Sequence, residues 1–333
     1  MFPNRFSTLL RGQRALAAIA CACAAMAWSG ASAAGLTVLM ADDSAAHADF
    51  VRQLRETQEA GSRFELIRLA ADHPVADSIA PADESHVTAR PGLTGAPADV
   101  PVTMAVGLAA ARSAIERPGQ DPLVLAMLSR LDYETLKGSP ALRRPERQIG
   151  VLLREPSMAD QLALIDAVLP RKRRLGVVAT AESESVVREL QRAAQGWDLQ
   201  VEYAPDAKSL AAALRALVPR SDALLVLPDM IGDNQAATLA VLRAGAMAGL
   251  PVFGTNDGLV RSGGLAAAIS TPTQLAQQAR ALGQKLAANG GAGTVVVEAA
   301  APATVRVNTT VARGLGLRLP EERELTERVT ATR

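Results

Sequence analysis

The chain has 333 residues, more than one hydrophobic core comfortably organises, so its length favours two domains. Its 35 basic residues almost balance its 34 acidic ones, and this balance, without a long basic run, disfavours a nucleic-acid partner. Only 3% of the residues are aromatic, so few side chains are available to stack on a ligand.

The N-terminus is typical of a cleaved export signal. Three arginines in the first 14 residues precede an apolar run over residues 15–27, and a small-residue triplet follows at residues 31–33. The run is shorter than the roughly 20 residues that span a bilayer, which disfavours a retained anchor. We therefore predict a signal peptide over residues 1–33 and a periplasmic protein, with acylation at Cys21 or Cys23 as the less favoured alternative. Cleavage after this signal removes both cysteines.

Short apolar stretches alternate with amphipathic ones through the first half of the remaining chain. The predicted strands span residues 36–40, 64–69, 102–106, 123–127 and 148–153, and the predicted helices span residues 46–60 and 107–114. Residues 72–99 are rich in Pro, Ala, Asp and Ser without periodicity, which indicates a surface loop or a weakly structured helix.

The second half alternates more regularly. The predicted strands span residues 175–179, 199–203, 223–227, 251–253 and 265–269, and the predicted helices span residues 184–194, 207–217, 235–248 and 274–288. Strand and helix in turn imply right-handed βαβ units with helices on both faces of parallel sheets. We therefore predict an α/β fold with two doubly wound sheets in two lobes and a cleft between them.

Ligands of open parallel sheets bind beyond the carboxyl ends of the strands, near loops and helix N-termini. The candidate ligand-binding residues follow the predicted strands: Asp42, Asp43, Ser44, Gly107, Leu108, Ser129 and Arg130 in the first half, and Thr180, Glu182, Ser183, Pro228, Asp229, Thr255 and Asn256 in the second. Arg130 could clamp a carboxylate, and either Asp229 or the pair Asp42 and Asp43 could bind an ammonium group, which together would suit an amino acid. Helix capping is the alternative role for the Ser, Thr, Asp and Asn residues.

The sequence gives no sign of catalysis. His47, His73 and His86 are the only histidines, and because none has metal-ligand spacing, we expect them at the surface. The pair Asp42 and Asp43 also occurs after the first strand of receiver domains, but the third predicted strand lacks the Asp that those domains phosphorylate. We expect neither catalytic nor metal-binding residues, and no cofactor.

Five stretches carry a family resemblance. They are QIGVLL at residues 148–153, RLGVV at residues 174–178, DALLVLPDMIGDNQ at residues 222–235, AMAGLPVFG at residues 246–254 and VRVNTTVARGLGLRLP at residues 305–320. Together they resemble the ABC-transporter substrate-binding protein family with a type I periplasmic-binding fold, in the group that includes tryptophan and aromatic amino-acid binding proteins. The last stretch is the most specific, since a generic Rossmann-like protein has no reason to carry it.

The resemblance implies the periplasmic component of an ABC importer, which binds a small solute between two lobes and closes about a hinge. The solute would be an amino acid or a related molecule, although the predicted cleft loops offer only Tyr133, Tyr203 and Phe253 for stacking. The expected partners are this solute and an inner-membrane ABC permease, and the expected state is a monomer. A sensory binding protein that reports occupancy to a membrane receptor or kinase would have the same fold and is the alternative.

The resemblance also implies how the chain divides between the lobes. The N-terminal lobe comprises residues 35–153 plus 272–289, and the C-terminal lobe comprises residues 154–271 plus 290–333. The chain is expected to cross the hinge near Leu153, Thr271 and Gly291.

Overall fold

A computed structural model describes residues 35–58, 62–69, 101–144, 147–289 and 295–331. The predicted signal peptide, the segment over residues 72–99 with His73 and His86, and the expected crossing near Gly291 lie outside these residues.

Within the described ranges, twelve strands alternate with eleven helices for most of the chain. The strands are β1 (Gly35–Met40), β2 (Arg63–Arg68), β3 (Val102–Val106), β4 (Leu123–Leu128), β5 (Ile149–Pro156), β6 (Arg174–Ala179), β7 (Asp198–Tyr203), β8 (Ala223–Leu225), β9 (Val252–Gly254), β10 (Ala266–Ile269), β11 (Val295–Ala300) and β12 (Thr304–Val307). The helices are α1 (Ala45–Glu56), α2 (Gly107–Glu116), α3 (Arg130–Leu136), α4 (Met158–Val168), α5 (Glu184–Ala193), α6 (Ala207–Leu217), α7 (Gln235–Ala248), α8 (Asp257–Arg261), α9 (Pro272–Asn289), α10 (Thr309–Gly314) and α11 (Glu322–Thr330).

The strands form two sheets, as predicted, and each sheet has six strands. The first has the order β11-β5-β4-β3-β1-β2, and all its neighbouring strands are parallel. The second has the order β12-β10-β9-β8-β6-β7, and only the β10-β12 pair is antiparallel. Every residue of β4 is buried, which is typical of a parallel strand covered on both faces.

Helices cover both faces of the first sheet. On one face α1 and α9 pack together, with Phe50 of α1 and Leu282 of α9 buried among the strands. On the other face lie α2 and α3. The close approach of α9 to β5 requires a glycine, because a Cβ at Gly150 would lie 2.9 Å from the side chain of Leu282. The first sheet and these helices form the first lobe.

The second lobe is the second sheet with the remaining helices. Its core contains buried residues of α4, α5, α10 and α11 on one face, and of α6, α7 and α8 on the other. None of the helices in the described part of the chain is both long and apolar enough to cross a membrane.

The chain passes between the sheets three times. It leaves β5 for α4, leaves β10 for α9, and leaves β11 for β12. The first passage follows β5, which contains Leu153, and the second lies between β10 and α9, next to Thr271. The third lies at residues 301–303, and β11 belongs to the first sheet, whereas we assigned all of residues 290–333 to the C-terminal lobe.

This difference comes from β11, which we did not predict. Its three consecutive valines favour an extended chain. They pair in parallel with β5 in the register Val295 to Ile149, and this pairing keeps the segment in the first sheet. The strand is half-exposed at the sheet edge, and Glu298 interrupts its apolar run after Val297.

The packing of α9 on the first sheet predicts how a substitution in this helix changes the free energy of unfolding. Leu282 is 1% exposed, so Leu282→Ala should lower the free energy of unfolding by about 2–5 kcal/mol through lost burial and the cavity left behind. Urea unfolding followed by circular dichroism measures this change. Gln277→Ala, at an exposed position of the same helix, is the control and should change it by no more than about 0.5 kcal/mol. Equal effects of the two substitutions would contradict the packing described.

Candidate functional site

The loop after β1 forms a small polar cluster. His47 Nδ1 lies 2.7 Å from Asp42 Oδ1, and the backbone N–H of Ser44 donates to the same oxygen at 3.1 Å. Burial alone would raise the pKa of Asp42, but the hydrogen bonds from Ser44 and His47 together lower it below its ordinary value. The expectation that His47 lies at the surface is wrong, since only 14% of its side chain is exposed.

Gly107 packs directly against the imidazole ring of His47. It begins α2 with φ of +81°, a left-handed conformation that glycine adopts without strain. A Cβ at this position would lie 2.5 Å from Cε1 of His47. Both the backbone conformation and the ring therefore require a glycine between β3 and α2.

A bulge in β4 forms the neighbouring wall. The pairing of β4 with β5 shifts between Leu125 and Leu128, and Met127 has φ of +60°. A non-glycine residue in this region carries backbone strain, and such strain concentrates at binding sites. Strand bulges next to sites commonly redirect a side chain.

These elements enclose a cavity of about 520 Å³ at the carboxyl ends of the first-sheet strands. Its lining residues are Asp42, His47, Gly107, Leu108, Ala109, Arg112, Met127, Asp132 and Arg154. The predicted candidates Asp42, Gly107 and Leu108 are thus brought together. Sequence reasoning missed Arg112 and Arg154 because it considered only the loops after strands. Arg112 lies within helix α2, and Arg154 lies within strand β5.

Arg154 connects this cavity to the second lobe. Its Nε donates to Glu155 Oε1 at 2.7 Å, and its terminal nitrogen lies 3.7 Å from Asp233 Oδ2, in the loop after β8. Burial raises the pKa of Glu155 even though Arg154 opposes the shift. Two carboxylates therefore fix the Arg154 guanidinium at the edge of the cavity. The carboxylate of Glu155 is buried beside the first crossing, and that of Asp233 belongs to the second lobe.

Ser129 and Arg130 begin α3, where we predicted a loop. Ser129 Oγ accepts from the N–H of Asp132 at 3.0 Å, and Asp132 Oδ2 accepts from the N–H of Ser129 at 2.8 Å. This reciprocal pair is a capping box. The capping alternative is therefore confirmed for Ser129.

Arg130 already has a carboxylate partner within the protein. One guanidinium nitrogen lies 2.5 Å from Glu189 Oε2 on α5, and another donates to the carbonyl of Pro156 at 3.1 Å. Glu189 Oε1 also accepts from the N–H of Met158 at 3.0 Å. Arg130 therefore joins the first lobe to α5 at the first crossing and does not line the 520 Å³ cavity.

Asp43 and Asp229 both have partners that account for their carboxylates. Asp43 pairs with Arg68 at 2.6 Å on the exposed side of the sheet. Asp229 is fully buried, and burial raises its pKa. Its Oδ1 accepts from the N–H groups of Ile231 at 2.9 Å and Gly232 at 3.1 Å, and its Oδ2 accepts from the hydroxyl of Ser183. Asp229 thus holds its own loop, and the predicted ammonium contact is not available to it in this arrangement.

The other second-lobe candidates do not line the cavity either. Thr180 bonds Ser183 through its hydroxyl at 2.9 Å, Glu182 is exposed in a short 3-10 turn, and Pro228 and Thr255 are buried. Asn256 caps α8 by accepting from the N–H of Leu259 at 2.8 Å.

The expected stacking partners also lie elsewhere. Tyr203 is 52% exposed at the end of an edge strand, and Phe253 is buried in the core. Tyr133 lines a different cavity. Among the described residues, no group of three or more His, Cys, Asp or Glu is arranged to hold a metal ion.

Comparison with known proteins identifies the family and the fold. A family model described as ABC transporter substrate binding protein matches residues 99–328, well over half of the chain. The ligand-free, open structure of a substrate binding protein with adhesive properties from Clostridium difficile has a TM-score of 0.60 at 15% identity, covering 86% of this chain and 96% of that one. A search of curated proteins found no match.

Two further solved structures are similar. A conserved domain protein from Vibrio cholerae has a TM-score of 0.52 at 19% identity, covering 89% of this chain and 98% of that one. An ABC domain in complex with L-Trp from Streptococcus pneumonia has a TM-score of 0.50 at 17% identity, covering 87% and 97%. At these identities the likeness concerns the fold, and the predicted two-lobed type I periplasmic-binding fold is confirmed.

The contact between Gly107 and His47 can be tested with a matched control. Gly107→Ala should cost about 1–2 kcal/mol of stability from its positive φ, and a further cost because His47 must move away from Asp42. Gly196 has a φ of +82° with nothing within 4 Å of a Cβ, so Gly196→Ala reports the backbone cost alone. Urea unfolding measures both, and the excess cost of Gly107→Ala should vanish in a His47→Ala background. An excess that persists there would refute the contact.

Proposed function

Because the chain belongs to the ABC transporter substrate-binding protein family, we propose that it is the exported solute-binding component of an ABC importer. A small solute binds between the lobes, and the lobes close on it about the three crossings. The observation that carries this proposal is the 520 Å³ cavity at the strand ends of the first sheet, with Arg154 extending from it to Asp233 of the second lobe.

The charges of the cavity favour a small zwitterion such as an amino acid. Arg112 suits a carboxylate. Asp42 and Asp132 each use one carboxylate oxygen in the hydrogen bonds described above and suit an ammonium group through the other oxygen. The structural neighbour that was solved with L-Trp is consistent with this class. No described aromatic residue lines the cavity, so we favour an amino acid whose side chain needs no stacking partner, packed against Leu108 and Met127.

Closure follows from the distribution of the lining residues. The cavity is lined by first-lobe residues, including Arg154 of β5. A solute that binds there gains contacts with the second lobe only when the loops after β6, β8 and β9 approach. This difference in contacts is what favours the closed state, since a ligand shifts an equilibrium only by its differential affinity.

The export signal predicted over residues 1–33 supports a periplasmic location, where the protein would deliver its solute to an inner-membrane permease. A delivery role requires the closed form to present both lobes to that partner. Uptake of the identified solute by cells should therefore be lost when the gene is deleted and restored by the intact chain.

A thermal-shift screen of the purified protein, expressed from the full chain, tests solute binding. The screen compares amino acids, sugars, nucleosides and small organic acids. A specific solute should stabilise the folded protein by about 2.7 kcal/mol at a concentration one hundred times its Kd, and the melting temperature should rise accordingly. Small-angle scattering should then show a smaller radius of gyration with the solute bound. A well-folded protein that responds to no class would contradict the proposal.

Arg112 provides the matching variant. Arg112→Ala should weaken solute binding about tenfold or more by removing a charge-assisted hydrogen bond, without changing the unliganded melting temperature, because Arg112 is exposed. Arg143→Ala removes an equally exposed arginine of the same lobe outside the cavity and should leave binding unchanged. Equal weakening by both variants would place the solute elsewhere.

A further inference from the structure

A second cavity of about 680 Å³ lies between α3 of the first lobe and α5 of the second. Leu153 of β5 and Val297 of β11 also line it, so it borders the crossing strands. It shares no lining residue with the 520 Å³ cavity. The solute site therefore does not account for it.

Its lining is basic once the ion pairs are considered. Arg130, Lys137, Arg188 and Arg192 face only two acidic residues, Glu134 and Glu189. Lys137 lies 2.5 Å from Glu134 and Arg130 lies 2.5 Å from Glu189, so both carboxylates are neutralised.

The positive charges of Arg188 and Arg192 have little negative charge nearby to balance them. The nearest carboxylate to Arg188 is that of Glu184 at 4.0 Å, which is outside the cavity lining. Arg192 forms no ion pair with any residue that the structure describes. Because the two arginines are spaced four residues apart on α5, they lie on one face of the helix.

Two buried polar atoms of the lining have no partner among the described residues. They are Nε of Arg130, whose side chain is only 10% exposed, and Oγ of Ser185. Buried polar groups are nearly always hydrogen-bonded, and each exception calls for an explanation such as a ligand. Both atoms can donate to an acceptor oxygen. The cavity thus combines uncompensated positive charge with unused donors from both lobes.

We propose that this cavity is a second binding site, which takes a small multivalent anion through phosphate or carboxylate oxygens. Arg188 and Arg192 supply the charge, and Arg130 Nε and Ser185 Oγ supply directional hydrogen bonds. Because its walls belong to different lobes, the anion binds one lobe arrangement better than the other. By thermodynamic linkage it then changes the affinity of the solute site, and the solute changes the affinity for the anion.

Calorimetric titration of the purified protein at physiological ionic strength tests the site. Pyrophosphate and citrate are the two probes, which distinguish phosphate from carboxylate chemistry, and acetate is the monovalent control. We expect one probe to bind with a single site and acetate to give no heat. The double variant Arg188→Ala/Arg192→Ala should weaken that binding at least about tenfold.

The double variant Arg215→Ala/Arg243→Ala is the matched control. It removes the same charge from exposed positions of second-lobe helices outside the cavity, and it should change the affinity less than about twofold, because separated surface charges are screened by salt. Equal weakening in the two double variants, or no binding of either probe to the folded protein, would overturn the proposal. Melting temperatures of both variants confirm folding.

Discussion

The three crossings of the chain lie side by side, and the site depends on this constraint. β5 and β11 are neighbours in the first sheet and leave it at the same end, where Ala300 pairs with Pro156. The N–H of Ala303 donates to the carbonyl of Ile269 at 2.9 Å, so the second and third crossings are also joined. Because hydrogen bonds link neighbouring crossings, we expect the lobes to rotate about the line of the crossings more easily than they separate.

Helix α3 forms a wall of both cavities next to these crossings. Asp132 lines the 520 Å³ cavity, whereas Tyr133 and Glu134 line the 680 Å³ cavity. The helix is fixed at its N-terminus by the capping box of Ser129 and by the contact of Arg130 with Glu189 on the second lobe. In the proposed coupling, a change in lobe angle acts on α3, and through this one helix it alters both cavities. This arrangement supplies a physical path for the proposed coupling between them.

Most of the strands and long helices could be predicted from the sequence, because a buried strand or amphipathic helix repeats its apolar residues at a fixed period. Among the elements without a predicted counterpart are helix α3 and strand β11. α3 has only seven residues, too few for the helical period to emerge, and its one local signal is the Ser129 to Asp132 spacing of a capping box. β11 is half-exposed at an edge, and its place is fixed by pairing with β5, which lies far away in the sequence.

The rule that ligands bind beyond the carboxyl ends of parallel strands succeeds in one part of the candidate site and fails in another. The rule identified Asp42, Gly107 and Leu108 because the chain turns directly over the sheet edge after β1 and β3. It missed Arg154 because this residue lies within a strand that continues towards the other lobe. In the second lobe the rule selected Asp229, whose carboxylate accepts hydrogen bonds from two N–H groups of its own loop and from the hydroxyl of Ser183 in the loop after β6. Polar loop residues that bind each other do not differ in sequence from those that bind a ligand. The first lobe and the crossing strand therefore carry most of the side-chain chemistry available to the solute.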